Sequence, residues 1–199
     1  MKKLLIFDFD GVIEDTFELT FSLFKCQFRD LTRDEYRGWF DGNFHHALGA
    51  KGMSALGRYV FYEKYARALR GKNTDAALRT MLNALHAKFV FAIVSSGHAA
   101  LLREYLRQNG IAHLFTHVWG MEKHMNKAMK LTELYRRYAA PKGNCWFITD
   151  TLGDIREANA ADMPTIAVTW GFHSRRRLEE GNPTLVVETP KELSDFLNA

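Results

Sequence analysis

The stretch Leu4-Leu5-Ile6-Phe7-Asp8-Phe9-Asp10-Gly11-Val12 constrains this chain more than any other. A short apolar run bounded by turn chemistry reads as a strand buried on both faces, the setting of a parallel sheet. The run breaks off in two carboxylates one residue apart. A glycine follows, which lacks the Cβ that would clash in a sharp turn. In open α/β sheets the ligand crevice lies beyond the carboxyl ends of the strands. A solvated acidic turn is the simpler account of any single Asp-x-Asp, but signals elsewhere in the chain weigh against it here.

Further apolar runs at Phe89–Val94, Cys145–Thr149 and Thr165–Thr169, with shorter ones at Thr116–Gly120 and Leu185–Val187, alternate with helical patterns. The helices carry stripes such as Leu78, Met81, Leu82 and Leu85, or Leu101, Leu102, Tyr105 and Leu106 closed by Gly110. Strands alternating with helices predict an α/β fold, a doubly wound parallel sheet. Segment 17–72 has another character. Phe17, Phe21, Phe24 and Phe28 recur at helical spacing, Thr32 and Glu35 fit a capping box, Asp41-Gly42-Asn43 is a turn, and a longer helix includes Leu56, Tyr59, Val60 and Glu63. The expected organisation is an α/β core of residues 1–16 and 73–199 with a helical insertion over 17–72. The insertion leaves the core just after Asp10, at an edge where insertions carry specificity. Trp39, Asn43, His45 and His46 are its candidates for substrate contact. The adjacent histidines point different ways on a helix, so a two-ligand metal site is not expected from them.

The chemistry-bearing signals fall at strand ends. Val94 is followed by Ser95-Ser96-Gly97 and a helix start, where free N–H groups and the dipole favour an anion. Either hydroxyl also serves as a plain N-cap. Lys127 opens a helix behind Asn126, electrostatically misplaced against the dipole unless an anion lies nearby; Lys123 and Lys130 compete with it for a role. Cys145–Thr149 ends in Asp150, with Asp154 four residues on. Asp154 reads equally as a helix cap, but a carboxylate ending a buried strand is costly unless paired or metal-bound. Converging carboxylates call for a cation, and hard oxygen ligands favour Mg²⁺. A carboxylate can attack phosphorus, while a lysine and a serine bind the phosphoryl oxygens.

Bulk properties exclude other classes. Two cysteines in 199 residues, Cys26 and Cys145, give neither a disulfide framework nor a zinc site, so a reducing cytoplasm is the expected setting. A net charge of +4 without a basic stripe gives no reason to expect a nucleic-acid partner. Arg175-Arg176-Arg177 reads as a solvated loop or helix end. The apolar run cut at Asp8 is too short for a signal peptide or a membrane span.

With these residues in order, the sequence resembles the haloacid dehalogenase-like hydrolase superfamily across most of its length. Asp8-Phe9-Asp10-Gly11-Val12 resembles the first motif, Ser95 the second-motif hydroxyl, Lys127 the third-motif lysine, and Asp150-Thr-Leu-Gly-Asp154 the fourth-motif acid pair. Two positions depart from the pattern: Ala128 stands where proline often follows the lysine, and Thr149 where glycine is usual before the acid. The resemblance implies Asp8 as nucleophile and Asp10 as general acid and base. It implies phosphate on Ser95, Ser96 and Lys127, and Mg²⁺ at Asp8, Asp10 (through its carbonyl), Asp150 and Asp154. Segment 17–72 is similar to the family's C1 cap, as in phosphoglycolate phosphatase-like members. An acid at Asp10 points to phosphate esters, hence a phosphatase of small phosphorylated metabolites. A β-phosphoglucomutase-type phosphomutase shares these motifs. A phospho-acceptor signalling or binding domain is disfavoured by the acid spacing and the insertion.

Overall fold

The structure, a computed structural model, describes residues 3–123, 126–138 and 144–199. Met1 and Lys2, at the head of the expected core segment, lie outside the described residues. The strands are β1 (Lys3–Phe7), β2 (Phe89–Val94), β3 (Phe115–Trp119), β4 (Cys145–Thr149), β5 (Thr165–Val168) and β6 (Leu185–Val187). They form one six-stranded sheet in the order β3-β2-β1-β4-β5-β6, every pairing parallel. From β1 the chain winds outward through β2 and β3, then returns to β4 on β1's other flank. The strand order therefore reverses between β1 and β4, the switch point where a doubly wound sheet opens a crevice.

Side chains of a strand alternate between faces, and β1 fills both. Leu5 and Phe7 pack with Phe91 and Ile93 against Leu82, Leu102 and Leu193. These come from α5 (Ala76–His86), α6 (Ala99–Gln108) and α10 (Pro190–Asn198). Leu4 and Ile6 pack with Ala92 and Phe147 against Leu131, Leu134 and Ala158, which belong to α7 (Lys127–Tyr138) and α8 (Leu152–Ala160). All four β1 residues are fully buried; each contributes roughly 1.5–3 kcal/mol relative to exposure.

The segment after β1 is helical: α1 (Phe17–Lys25), α2 (Arg33–Gly38), α3 (Phe44–Ala50) and α4 (Ala55–Leu69). It has its own aromatic core, in which Phe17, Phe21, Phe24, Tyr36 and Trp39 gather around Phe172 from the sheet side. Thr32 and Glu35 form the reciprocal capping box that opens α2. The loop after α2 is tied to the helix after β4. Gly153 N donates to the Phe40 carbonyl at 2.8 Å and Arg156 to the Asp41 carbonyl at 2.7 Å. A Cβ at Gly153 would strike the Phe40 and Gly42 carbonyls, so only glycine admits this approach.

Three local expectations change, one of them the fifth strand, which ends at Val168 and not at Thr169. The third strand begins and ends one residue early, at Phe115 and Trp119. The helix after β4 begins at Leu152, because Thr151 is its N-cap and accepts from Asp154 N; Asp154 is not the cap. The Arg175 cluster opens a short helix, α9 (Arg175–Glu179). This is the exposed helix end expected of it, with Arg175 bound to Glu188 and Arg177 to Asp41 of the helical segment. Among the described residues no helix is long and apolar enough to cross a membrane.

Candidate active site

The register that pairs Phe7 with Ile148 brings the ends of β1 and β4 side by side, and with them Asp8 and Asp150. Lys127 reaches this point from the first turn of α7. Its Nζ donates to Asp8 Oδ2 at 2.7 Å and to Asp154 Oδ2 at 2.6 Å, with all three groups buried. The cation misplaced against its own helix dipole is thus held by two carboxylates. A third, Glu157, accepts from the Lys127 and Ala128 amides at the helix start and takes Asn43 Nδ2 at 2.6 Å on its other oxygen.

Burial alone would lower the Lys127 pKa, but the Asp154 and Asp8 charges outweigh it and raise it. Burial would likewise raise Asp154, yet Lys127 and the hydrogen bonds around its carboxylate keep it low. One of those bonds comes from Thr149 Oγ1, at 2.7 Å. Thr149, the departure from the family pattern, therefore serves to orient Asp154. Asp8 is pushed up by burial against the pull of Lys127, with Asp154 and Asp150 adding to the rise.

Asp150 is fully buried, and Phe172 N donates to its Oδ2 at 2.7 Å. Among the described residues Oδ1 has no partner. Burial pushes its pKa up to about 8. A Cβ at Gly11, whose φ is +77°, or at Gly171 would run into this carboxylate. Gly11 is thus fixed both by its left-handed backbone and by the space Asp150 occupies. An orphaned buried carboxylate oxygen beside Asp8 is the donor set a hard cation takes. Among the described residues no three acidic, histidine or cysteine side chains form a ready metal group.

Asp10 is set apart from the other acids. Its carboxylate turns toward the helical segment, where Oδ1 accepts from Thr16 Oγ1 at 2.6 Å and Tyr65 OH at 2.7 Å. Burial raises its pKa, and these two hydrogen bonds restrain the rise. Asp8, Asp10 and Asp154 all line the same cavity, with the Asp10 carboxylate on its helical side.

Of the two hydroxyls after β2, Ser96 lines the cavity with Gly97. Ser95 lies fully buried beneath, its Oγ accepting from Gly97 N at 2.9 Å. Lys130 is also fully buried, but it donates to the Ser95 and Gly120 carbonyls at 2.6 and 3.0 Å. Lys123 pairs with Glu133 at 2.8 Å. Of the three candidate lysines, only Lys127 meets the acids. Trp39 is buried in the aromatic core, Asn43 caps α3, His46 is exposed and His45 half-buried.

Three residues escape sequence reasoning, Thr16, Tyr65 and Glu157, while Thr149 stands out there only as a departure from the family pattern. Phe61, Tyr62 and Tyr65 recur at helical spacing, a signal that says "helix face" without saying that one hydroxyl touches Asp10. Glu157 has no sequence signal at all.

An open parallel sheet with acids and a lysine converging at its switch point is a Rossmann-like α/β fold with its crevice in the usual place. The chain belongs to the haloacid dehalogenase-like hydrolase family, whose pattern matches residues 5–168. It is 22% identical to a phosphoglycolate phosphatase of Synechococcus elongatus over 96% of this chain and 95% of that protein. Among solved structures it is similar to a haloacid dehalogenase-like hydrolase from Streptococcus pneumoniae (TM-score 0.81, 17% identity, 98% of each chain). It is also similar to a candidate β-phosphoglucomutase from Thermotoga maritima (TM-score 0.74, 17% identity, 98% of each chain).

Proposed function

We propose that this hydrolase is a Mg²⁺-dependent phosphatase that cleaves a small phosphorylated metabolite through an aspartyl-phosphate on Asp8. The observation that carries the reading is the division of labour between the two acids of the first motif. Asp8 is held against Lys127 at 2.7 Å, while Asp10 is turned away, half-buried, with its pKa raised. One carboxylate is poised to attack and the other to carry a proton.

In the first step Asp8 attacks phosphorus. The new Asp8 O–P bond forms as the bond to the leaving oxygen breaks, and Asp10 gives that oxygen its proton. In the second step Asp10 takes a proton from water, the water oxygen attacks phosphorus, and inorganic phosphate leaves with Asp8 restored. Lys127 fixes Asp8 and balances charge on the phosphoryl oxygens, with Ser96 and Gly97 completing that cradle and Ser95 holding the turn beneath them. Mg²⁺ would be held by Asp8, Asp150 and the Asp10 carbonyl, and supplies charge neutralisation at the phosphoryl group. Asp154 acts by positioning Lys127. Segment 17–72 acts as the cap that closes over the leaving group. Two unpaired cysteines suit a cytoplasmic setting.

Release of inorganic phosphate from a panel of phosphate esters, with Mg²⁺ and with excess chelator, tests this. Activity is expected with the metal and none without; undiminished activity in chelator overturns it. Internal phosphoryl transfer without free phosphate would instead mark a phosphomutase. Thermal unfolding gives a second readout. The folded-state pKa of Asp150, about 8, lies above its unfolded value near 3.9. The metal-free fold therefore binds the extra proton and loses stability as pH rises between those values. Stabilisation by Mg²⁺ is expected to grow from pH 5.5 to pH 8.

A further inference from the structure

The polar end of the cavity, at Asp8, Ser96, Gly97 and Lys127, is only part of its lining. The rest is dominated by rings: Phe24, Phe40, Phe44, Phe61, Tyr62 and Phe172. These rings are ordered against one another. Phe40 and Phe44 stack at 4.9 Å and 6°, Phe24 and Phe61 at 4.4 Å and 26°. Among the described residues lining the cavity, Lys127 is the sole cation, and its ammonium is already shared by Asp8 and Asp154. The remaining charged groups in the lining, Asp10 and Glu157, are acids.

Two basic side chains of the helical segment, Arg37 and Arg58, and Lys130 beneath the site are engaged. Arg37 donates to the Phe172 carbonyl and Asp34, Arg58 to the Met53 carbonyl, and Lys130 to the Ser95 and Gly120 carbonyls. His45 has a buried, unpartnered Nε2, but it lies outside the lining. Burial, with Lys130 and Lys127 nearby, holds its pKa down to about 4, so it carries no charge at neutral pH.

We infer that the ester this site takes has an uncharged, largely hydrocarbon alcohol as its leaving group, with an aromatic ring as the best fit, and not a carboxylate-bearing alcohol. The inference rests on the phosphatase reading above and narrows its substrate class. A second anion at the ring-lined end would be desolvated without a partner and repelled by Glu157. A flat apolar group would instead bury its surface against rigid rings. The relatives named as phosphoglycolate phosphatases act, by name, on an ester of a carboxylate-bearing alcohol, so the inference separates this chain from them.

The test compares kcat/KM, with Mg²⁺, for benzyl phosphate and 2-phosphoglycolate. Both are esters of primary alcohols, so leaving-group basicity does not dominate the comparison. Benzyl phosphate is expected to be favoured by about tenfold or more. Phe44→Arg is expected to narrow or reverse that preference, while Phe44→Leu keeps its direction; if Phe44→Arg does not fold, the wild-type ratio decides alone. In parallel, benzylphosphonate and phosphonoacetate are titrated calorimetrically onto the wild-type protein, which requires no turnover, and benzylphosphonate is expected to bind more tightly. Preference for 2-phosphoglycolate, with both esters hydrolysed, overturns the inference and leaves the phosphatase reading standing. Absence of hydrolysis for both overturns the phosphatase reading, and the titration then decides: tighter binding of phosphonoacetate overturns the inference too, and tighter binding of benzylphosphonate sustains it.

Discussion

The two sides of the cavity are built by opposite means. On the sheet side, charged groups are buried and held by polar partners, Lys127 by Asp8 and Asp154 and Asp154 also by Thr149, with one Asp150 oxygen left over. On the helical side, packing does the work, with rings stacked on rings and a single acid, Asp10, reached by the Tyr65 hydroxyl. The sheet side takes its geometry from backbone. Strand register sets where Asp8 and Asp150 end up, and a one-residue slip would turn each side chain to the other face. The helical side takes its geometry from side-chain volumes and loop ties, which tolerate exchange of one apolar shape for another far better. On the reading proposed above, chemistry sits where position is dictated, and selectivity where it can be varied.

That contrast predicts unequal responses to mutation. Asp8→Asn removes the nucleophile, and every substrate is expected to lose activity together, on the order of 10⁴-fold or more in kcat. A loss confined to some esters would mean that Asp8 shapes the pocket and does not react. Trapping the phosphorylated enzyme by rapid quench, absent in the variant, is the direct check.

Next in size is a pair of lysines in the same helix. Lys127→Met leaves Asp8 and Asp154 buried with no cation, which costs about 3–5 kcal/mol of stability and on the order of 10²–10³-fold in kcat. Lys130→Met strips two buried carbonyls of their donor, which costs about 1–3 kcal/mol of stability; its kcat is expected to change far less. Chemical unfolding and steady-state kinetics on both variants separate the roles. An equal kcat loss would mean that the Ser95–Gly97 turn, held by Lys130, is as critical as the charge.

The same contrast explains what was legible in the sequence. Leu4 to Asp10, Ser95 to Gly97, Lys127 and Asp150 to Asp154 lie at element ends, where an apolar run gives way to a functional group within a residue or two. Strand periodicity and turn chemistry mark such points directly. Thr16, Tyr65 and Glu157 lie inside or just before helices, and their partners are 6, 55 and 30 residues away. No local pattern encodes a contact of that separation. Glu157 is the clearest case: it lies well inside α8, where an acid reads as a solvated face, yet it joins the start of α7 to the α3 cap. Asp154 reads as a possible cap because acid near a helix start is common; Thr151 claims that position and leaves Asp154 for Lys127.

The smallest expected effect tests whether the helical side reaches into the chemistry at all. Tyr65 is buried, and its hydroxyl donates to the Asp10 oxygen that also takes Thr16. A hydrogen bond to the ionised carboxylate favours ionisation, so it opposes the burial that raises Asp10. Tyr65→Phe removes one donor, keeps the ring in its packing, and raises the Asp10 pKa further. As the proton donor of the first step, Asp10 must be protonated in the free enzyme. Activity in kcat/KM therefore falls as pH rises through its pKa, and in the variant that fall is expected at higher pH. Asp10 must still serve as base once the leaving group has gone, and a carboxylate with one fewer donor is positioned less well. At neutral pH an ester with a basic leaving alcohol is expected to lose about tenfold in kcat, the scale of one hydrogen bond to a charged group. A shifted limb with unchanged substrate preference would tie Tyr65 to the sheet side of the cavity. An unmoved limb with altered preference would return it to the ring-lined wall and deny it any part in tuning Asp10.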